Sequence, residues 1–308
     1  MIRIAHLSDV HLNAVPAPEL TQLLSKRMIG YVNWRRNRAH LMTSASLDRL
    51  VADMKAQQPD HIVVTGDLTN VALPGEFANA TAWLQSLGDG DRVTAIPGNH
   101  DAYVPRADRI YRRLWAPWMS DHRIREDPGD ATEDAVAHFP FLREFGQIAM
   151  IGVSTAVPSA PFMATGRIGR RQSENVRKLL QEAGEEGFFR IVLIHHPPKL
   201  IDFRRAHRRL TDARRLRAAV RSDGAELVLH GHDHIQSMTA IEGPTAPVPV
   251  VGVPAAGGPA TDGPKAGGYA LHDIEQTADG YALTVTQRGY DAEGEIVDKV
   301  KSGFSLTR

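Results

Sequence analysis

The sequence predicts an α/β fold with parallel strands joined by crossover helices. Two observations carry this. Over the first hundred residues, short apolar or β-branched runs alternate with segments whose apolar residues recur at helical spacing, giving the order β-α-β-α-β. Three of those runs, and two more further on, end in a polar cluster: DVH at 9–11, GDLTN at 66–70, GNHD at 98–101, HHPP at 195–198 and GHDH at 231–234.

Residues 2–8 alternate and then run apolar into Asp9, as a core strand does. Residues 45–57 repeat apolar positions at helical spacing until Pro59 stops the pattern. HIVVTGD at 61–67 is a β-branched strand ending at a Gly-Asp turn; 77–87 is helical; 92–101 is strand then turn. Further along, 147–155 is a strand, 170–183 a helix and 190–198 a strand. The helix at 211–224 takes Thr211 or Asp212 as its N-cap, and 225–234 is another strand. Strands near 248–254, 268–275, 281–290 and 295–299, separated by glycines, read as antiparallel sheet finishing one edge.

A chain of 308 residues fits two average domains or one large α/β domain. It is read as one domain, 1–308, with a helical cap inserted at about 13–45 and antiparallel strands at about 245–308. Hydrophobic content of 42% and charged content of 23% are those of a globular protein. Lysine plus arginine balances aspartate plus glutamate at 36 each, which argues against a nucleic-acid coat. With no cysteine, disulfides, thiolate metal sites and cysteine nucleophiles are excluded. MIRIAHLSD reads as a strand rather than a signal peptide, and no stretch is apolar for long enough to span a membrane, so a cytoplasmic protein is expected.

Asp9, Asp67, Asn99, His195 and His232 all fall just past the C-terminal end of a predicted strand. Ligands of open α/β sheets bind outside those ends. Aspartate, asparagine and histidine supply the oxygen and imidazole donors that borderline and hard metals prefer. One rim with room for two metal ions is therefore expected, and two adjacent metals suit phosphoryl-ester hydrolysis.

The ordered pattern D-x-H, G-D, G-N-H-D, a later His and G-H-x-H, spread over residues 9–234, resembles the calcineurin-like metallophosphoesterase superfamily, and in particular class III cyclic-nucleotide phosphodiesterases. The resemblance implies a four-layer α/β/β/α sandwich with mixed sheets and a di-metal site at the strand ends. It implies one metal held by Asp9, His11 and His234, a second by Asn99, His195 and His232, and Asp67 bridging them. The metals would be two divalent or trivalent ions, with Mn, Fe and Zn all compatible. The implied reaction is phosphodiester hydrolysis by a metal-bridging hydroxide, with 3′,5′-cyclic nucleotides or other small phosphodiesters as substrates. His100, outside the ligand set, is implied to contact the phosphate or protonate the leaving group, and Asp101 to orient or charge-stabilise it. His6, His61, His138 and His272 are read as surface or satisfied core side chains, His196 and His230 as core neighbours of ligands, and Asp233 as a loop residue.

Two basic segments stand outside the motifs. Residues 20–42 carry Leu20, Leu24, Met28, Tyr31 and Val32 at helical spacing, flanked by Lys26, Arg27, Arg35, Arg36 and Arg38. Residues 203–221 hold eight arginines against one aspartate. Each follows a ligand cluster, so both are expected on the rim, either as solvated helix faces or as a cap whose arginines attract a polyanionic or nucleotide substrate; the expected partner is a small phosphorylated substrate. The first could also rest on an anionic membrane surface. Alternative activities are cleavage of a lipid-linked sugar nucleotide, against which His100 counts because such relatives carry Arg there, and phosphomonoester hydrolysis. A partner-binding scaffold would have lost ligands that this chain retains. Nucleic acid is not an expected partner, and nothing in the sequence reads out the oligomeric state.

Overall fold

The computed structural model describes residues 1–23, 25–37, 44–120, 136–200 and 202–307. In chain order the elements are β1 (Ile2–Leu7), α1 (Leu20–Leu23), α2 (Lys26–Asn37), α3 (Ser44–Ala56), β2 (His61–Val64), α4 (Pro74–Leu87), β3 (Val93–Ala95), α5 (Asp108–Leu114), α6 (Ala116–Met119), β4 (Phe141–Phe145), β5 (Ile148–Val153), α7 (Arg170–Glu185), β6 (Phe189–Ile194), a 3₁₀ turn (Phe203–Arg208), α8 (Ala213–Asp223), β7 (Leu227–His230), β8 (Ser237–Ile241), β9 (Val248–Gly252), β10 (Gly268–Thr277), β11 (Gly280–Tyr290) and β12 (Ile296–Thr307).

The strands form two six-stranded mixed sheets, ordered β12-β11-β10-β1-β2-β3 and β4-β5-β6-β7-β9-β8. In the first, β1, β2 and β3 run parallel, and the antiparallel β10, β11 and β12 extend the β1 side. In the second, β5, β6, β7 and β9 run parallel between antiparallel edges β4 and β8. The period-2 alternation of the central strands divides two cores. Ile148, Met150, Ile191, Leu193, Leu227 and Leu229 face the first sheet. Their neighbours Ala149, Ile151, Val192, Ile194 and Val228 face Val176 and Leu180 of α7 and Leu216 and Val220 of α8. Across the sheets, the Phe189 and Tyr281 rings meet edge to face at 5.0 Å. On the first sheet's outer side, Asp53 of α3 accepts from Tyr269 Oη at 2.5 Å and pairs with Arg288 at 3.0 Å. The four layers expected of the fold are therefore present.

Four local expectations change. Val248–Gly252 is not part of the antiparallel tail: β9 joins the second sheet, parallel to β7. Its uninterrupted apolar run suits a doubly buried strand, and periodicity alone cannot say which sheet receives it. Strands β4 and β8 were not expected. FLREF carries an inward Arg143 that donates to the carbonyls of Gly90, Val93 and Pro117, while SMTAI is a half-exposed edge. The helical pattern of 20–42 resolves into α1 and α2, with Leu24 and Arg38 outside the described residues. At α8, Asp212 occupies the N-cap position without a side-chain cap; its carboxylate instead accepts from the Ile168 and Gly169 N–H groups at 2.9 Å. Among the described residues, no helix is long and apolar enough to cross a membrane.

Candidate metal centre

The ends of β1, β2, β3, β6 and β7 deliver all seven expected donors to one place. Asp9 lies two residues past β1, Asp67 three past β2, Asn99 four past β3, His195 directly after β6 and His232 two past β7. Turning the chain outward there has a conformational cost. Asp9, His11, Asp67, His232 and His234 all sit in the left-handed region, with φ of 52°, 44°, 56°, 72° and 54°. Such φ values are uncommon outside glycine and collect where function over-determines the backbone. Gly231 permits the approach of the β7 turn to β1: a Cβ there would lie 1.8 Å from Ser8 Oγ and 2.5 Å from Asp9 Oδ2.

Two overlapping sets of donor atoms result. Asp9, His11, Asp67 and His234 form one, and Asp67, His195 and His232 the other; within each, the atoms lie within 4.8 Å of one another. Asn99 Oδ1 adds to the second, 3.2 Å from His195 Nε2. Three imidazoles have their outer nitrogen against a backbone carbonyl: His11 Nδ1 to Thr69 O at 3.1 Å, His195 Nδ1 to Thr65 O at 2.7 Å, and His232 Nε2 to Arg208 O at 2.8 Å. A carbonyl only accepts, so each outer nitrogen carries a proton and each inner one is the atom left to bind a metal. The inner nitrogens of His195 and His232 are 3.2 Å apart, and those of His11 and His234 3.4 Å. The buried Asp9 Oδ1 has no well-formed hydrogen bond. The inner nitrogens crowd one another and Asp9 Oδ1, which lies 3.0 Å from His234 Nε2, an arrangement that a cation among them would stabilise. The residues therefore fit two metal ions.

The electrostatics agree. Burial alone would raise both carboxylates, but His234 and His195 hold Asp9, and His195, His100 and His11 hold Asp67, below the usual range. Burial opposes charge on His195, but Asp67 raises it to about 9, so a metal ion bound at its inner nitrogen would take the place of a proton. Burial and the neighbouring imidazoles keep His232 well below its usual range, as a neutral base.

The calcineurin-like phosphoesterase family model matches residues 2–236. The chain belongs to this family. A probable cyclic nucleotide phosphodiesterase from Rhodococcus erythropolis is 28% identical over 191 residues, 60% of this chain and 55% of that protein, so the match spans about half the relative's length. A dimetal phosphatase from Danio rerio superposes with a TM-score of 0.61 at 14% identity, covering 99% of this chain and 98% of that one. A purple acid phosphatase from yellow lupin seeds gives 0.59 at 13% identity, with 99% and 53% covered. Calcineurin-like phosphoesterases use a dinuclear metal centre, and the two donor sets suit one.

The residues around the donors divide differently from the sequence-based expectation. His100 reaches the site: its backbone N–H donates to Asp67 Oδ1 at 2.6 Å, its ring meets His11 edge to face at 4.7 Å, and its Nδ1 donates to Asn70 O at 2.5 Å. Its ring orientation thus comes from Asn70, a residue with no sequence signal beyond its place in GDLTN. Asp101 was expected to orient His100. Its fully buried carboxylate is taken up instead by the N–H groups of Asp67, Leu68, Thr69 and Gly98, at 2.8–3.1 Å, and by Thr69 Oγ1 at 3.0 Å. It ties the turn after β2 to the turn after β3. Through Thr69, whose carbonyl holds His11, it shapes the donor set without belonging to it. Burial and the nearby Asp67 push Asp101 up to about 7, against the pull of those N–H groups.

His196 and His230 are buried beside the ligands, as expected, and Asp233 lies in the loop after β7. His138 is exposed and His6 and His61 are in the core; His272 is also buried, but neither ring nitrogen has a hydrogen-bond partner, so it is not satisfied. Within the arginine-rich segment 203–221, the 3₁₀ turn meets the rim. Arg208 donates to His232 O and Arg205 to Asp233 O at 3.0 Å, whereas Arg177, Arg214, Arg215, Arg217 and Arg221 line a groove between α7 and α8. The helical phase of α8 turns Leu216, Ala219 and Val220 toward the second sheet and leaves its arginines on the groove shared with α7.

Proposed function

We propose that this chain is a phosphodiesterase with a centre of two metal ions. Asp9, His11 and His234 would hold one ion, Asn99, His195 and His232 the other, and Asp67 would be shared. The observation that carries this reading is the convergence of four imidazoles on two buried carboxylates, with His11, His195 and His232 each fixed from behind by a carbonyl. Metal ions bound there supply Lewis acidity toward a phosphoryl oxygen and lower the pKa of a coordinated water toward neutrality. The neutral Asn99 amide adds a donor without adding negative charge, which keeps the site attractive to a phosphate. His100 lines the cleft above the donors, and the proposal assigns its Nε2 the proton given to the departing oxygen. Asn70 O, bonded to Nδ1, keeps the ring in that orientation.

Support for 3′,5′-cyclic nucleotides as substrates is the name of the Rhodococcus relative. The metal ions are proposed to be Mn, Fe or Zn, because a nitrogen- and oxygen-rich donor set accommodates all three.

The test combines metal analysis of the purified protein with turnover of cyclic nucleotides, aryl phosphodiesters and aryl phosphomonoesters. About two ions per chain and diester turnover are expected. Asp67→Ala should bind fewer ions and lose at least about a hundredfold in kcat, since it removes the shared carboxylate. Undiminished diester hydrolysis by Asp67→Ala would sink the two-metal mechanism, and turnover confined to monoesters would sink the diester reading.

A further inference from the structure

Above Asn99 and His100 lies a cleft of about 690 Å³ whose walls are not explained by phosphate chemistry. One wall is α2, through Met28, Ile29 and Val32; the facing one is the loop carrying Phe162 and Met163. Among the described residues nine large hydrophobic side chains are exposed, and these are five of them. Scattered exposed apolar residues are ordinary, but their concentration around one opening marks a binding surface.

Their exposure is not a by-product of how α2 is anchored, because polar contacts hold that helix. Arg27 donates to Val71 O at 3.2 Å and Ala72 O at 2.6 Å, on the loop that follows Asp67. Lys26 donates to Ser159 O at 3.0 Å and stands 4.3 Å over the Tyr103 ring, which itself stacks on His100 at 5.7 Å. Tyr103 comes so close to Gly30 that a Cβ there would lie 2.5 Å from its hydroxyl. The apolar side chains of α2 are thereby left facing the cleft. Phe162 adds a second sign. It sits at φ 64°, a strained conformation for a bulky residue, and it is 84% exposed. Lys26, Arg36 and Arg208 complete the lining with positive charge. An anion-seeking floor and edge beside an apolar wall match the chemistry of an amphiphile.

We infer that this cleft binds an alkyl or acyl chain carried next to the scissile phosphodiester, so that the protein prefers amphiphilic phosphodiesters to cyclic nucleotides. The inference rests on the phosphodiesterase reading above and narrows its substrate class.

The experiment uses the metal-loaded full chain with methyl, butyl and decyl p-nitrophenyl phosphodiesters, each kept monomeric, and with 3′,5′-cyclic AMP. Each methylene fully buried is worth about a fourfold gain. The decyl ester, with only part of its chain covered, should exceed the methyl ester in kcat/KM by at least about tenfold and should exceed cyclic AMP. In an Ile29→Ser, Val32→Ser, Phe162→Ser variant the decyl-to-methyl ratio should fall below about threefold. Phe162→Ser alone, at a solvent-facing position, should lower the ratio in a chain whose fold is undisturbed. A ratio near one in the parent, a ratio unmoved by either variant, or cyclic AMP as the better substrate would overturn the inference. Binding of decylphosphonate and methylphosphonate by calorimetry separates the two readings. If no diester is turned over, the phosphodiesterase reading fails. Decylphosphonate binding at least about tenfold tighter then still supports the apolar subsite, and equal binding overturns it.

Discussion

Asp101→Asn separates a load on the fold from a part in the chemistry. In the parent, Oδ2 accepts from Asp67 N at 2.9 Å and Gly98 N at 2.8 Å, while Oδ1 accepts from Leu68 N at 3.1 Å, Thr69 N at 2.9 Å and Thr69 Oγ1 at 3.0 Å. An amide keeps only one acceptor oxygen. In its better orientation it still serves Leu68 and Thr69, and it turns an NH₂ toward the N–H groups of Asp67 and Gly98. Two buried donors then lack acceptors, at about 1–3 kcal/mol each, and the remaining bonds lose their charge assistance. A loss of about 4 kcal/mol is expected, a large share of the roughly 5–15 kcal/mol by which a domain of this kind is stable. Urea unfolding of metal-loaded parent and variant measures it, with kcat on an aryl phosphodiester read from the folded fraction. Were Asp101 to act by orienting His100, kcat would collapse while the unfolding midpoint stayed in place. A variant within about 1 kcal/mol of the parent would refute the reasoning from the five hydrogen bonds.

Gly231→Ala should leave little folded, metal-binding protein, because its Cβ would meet Ser8 Oγ at 1.8 Å; Gly303→Ala, with nothing within 4 Å, should unfold at the parent's temperature, and equal Tm values for the two would contradict the close approach. His272 makes acid stability steeper. Burial holds it down to about 3, so below the ordinary histidine pKa of about 6.5 the unfolded chain takes up a proton that the folded one refuses. Stability therefore falls as pH drops from 6.5 toward 3, by about 1.4 kcal/mol per unit from this residue. His272→Leu should keep about 2 kcal/mol at pH 5 that the parent has lost; parallel plots of unfolding free energy against pH would show the assignment to be wrong.

The legible part of this protein was the part in which local chemistry and local geometry coincide. A β-branched run that stops at Asp, Asn or His beside glycine announces a strand end, and such ends gather at one rim in a parallel sheet. That is why the donors from Asp9 to His234 could be named from the chain. Less was legible where a partner distant in sequence decides the role. Asp101 follows His100 directly, which suggested an orienting task, but its carboxylate points to backbone donors 32 to 34 positions away. The arginines of 203–221 looked alike, yet a 3₁₀ turn sends Arg208 to the rim and α8 carries Arg214 and Arg221 to the groove it forms with α7.

The sequence by itself determined the fold class, which follows from residue type and short-range periodicity, and the family, through the ordered motifs by which it resembles known members. The tertiary structure decided the rest. It set which nitrogen of His11, His195 and His232 faces inward, since Thr69, Thr65 and Arg208 offer their carbonyls from other segments. It set which exposed apolar side chains share a wall, since α2 and the Phe162 loop are more than a hundred residues apart. Hydrogen-bond direction and surface adjacency belong to positions in space, and neither is written in the order of the residues.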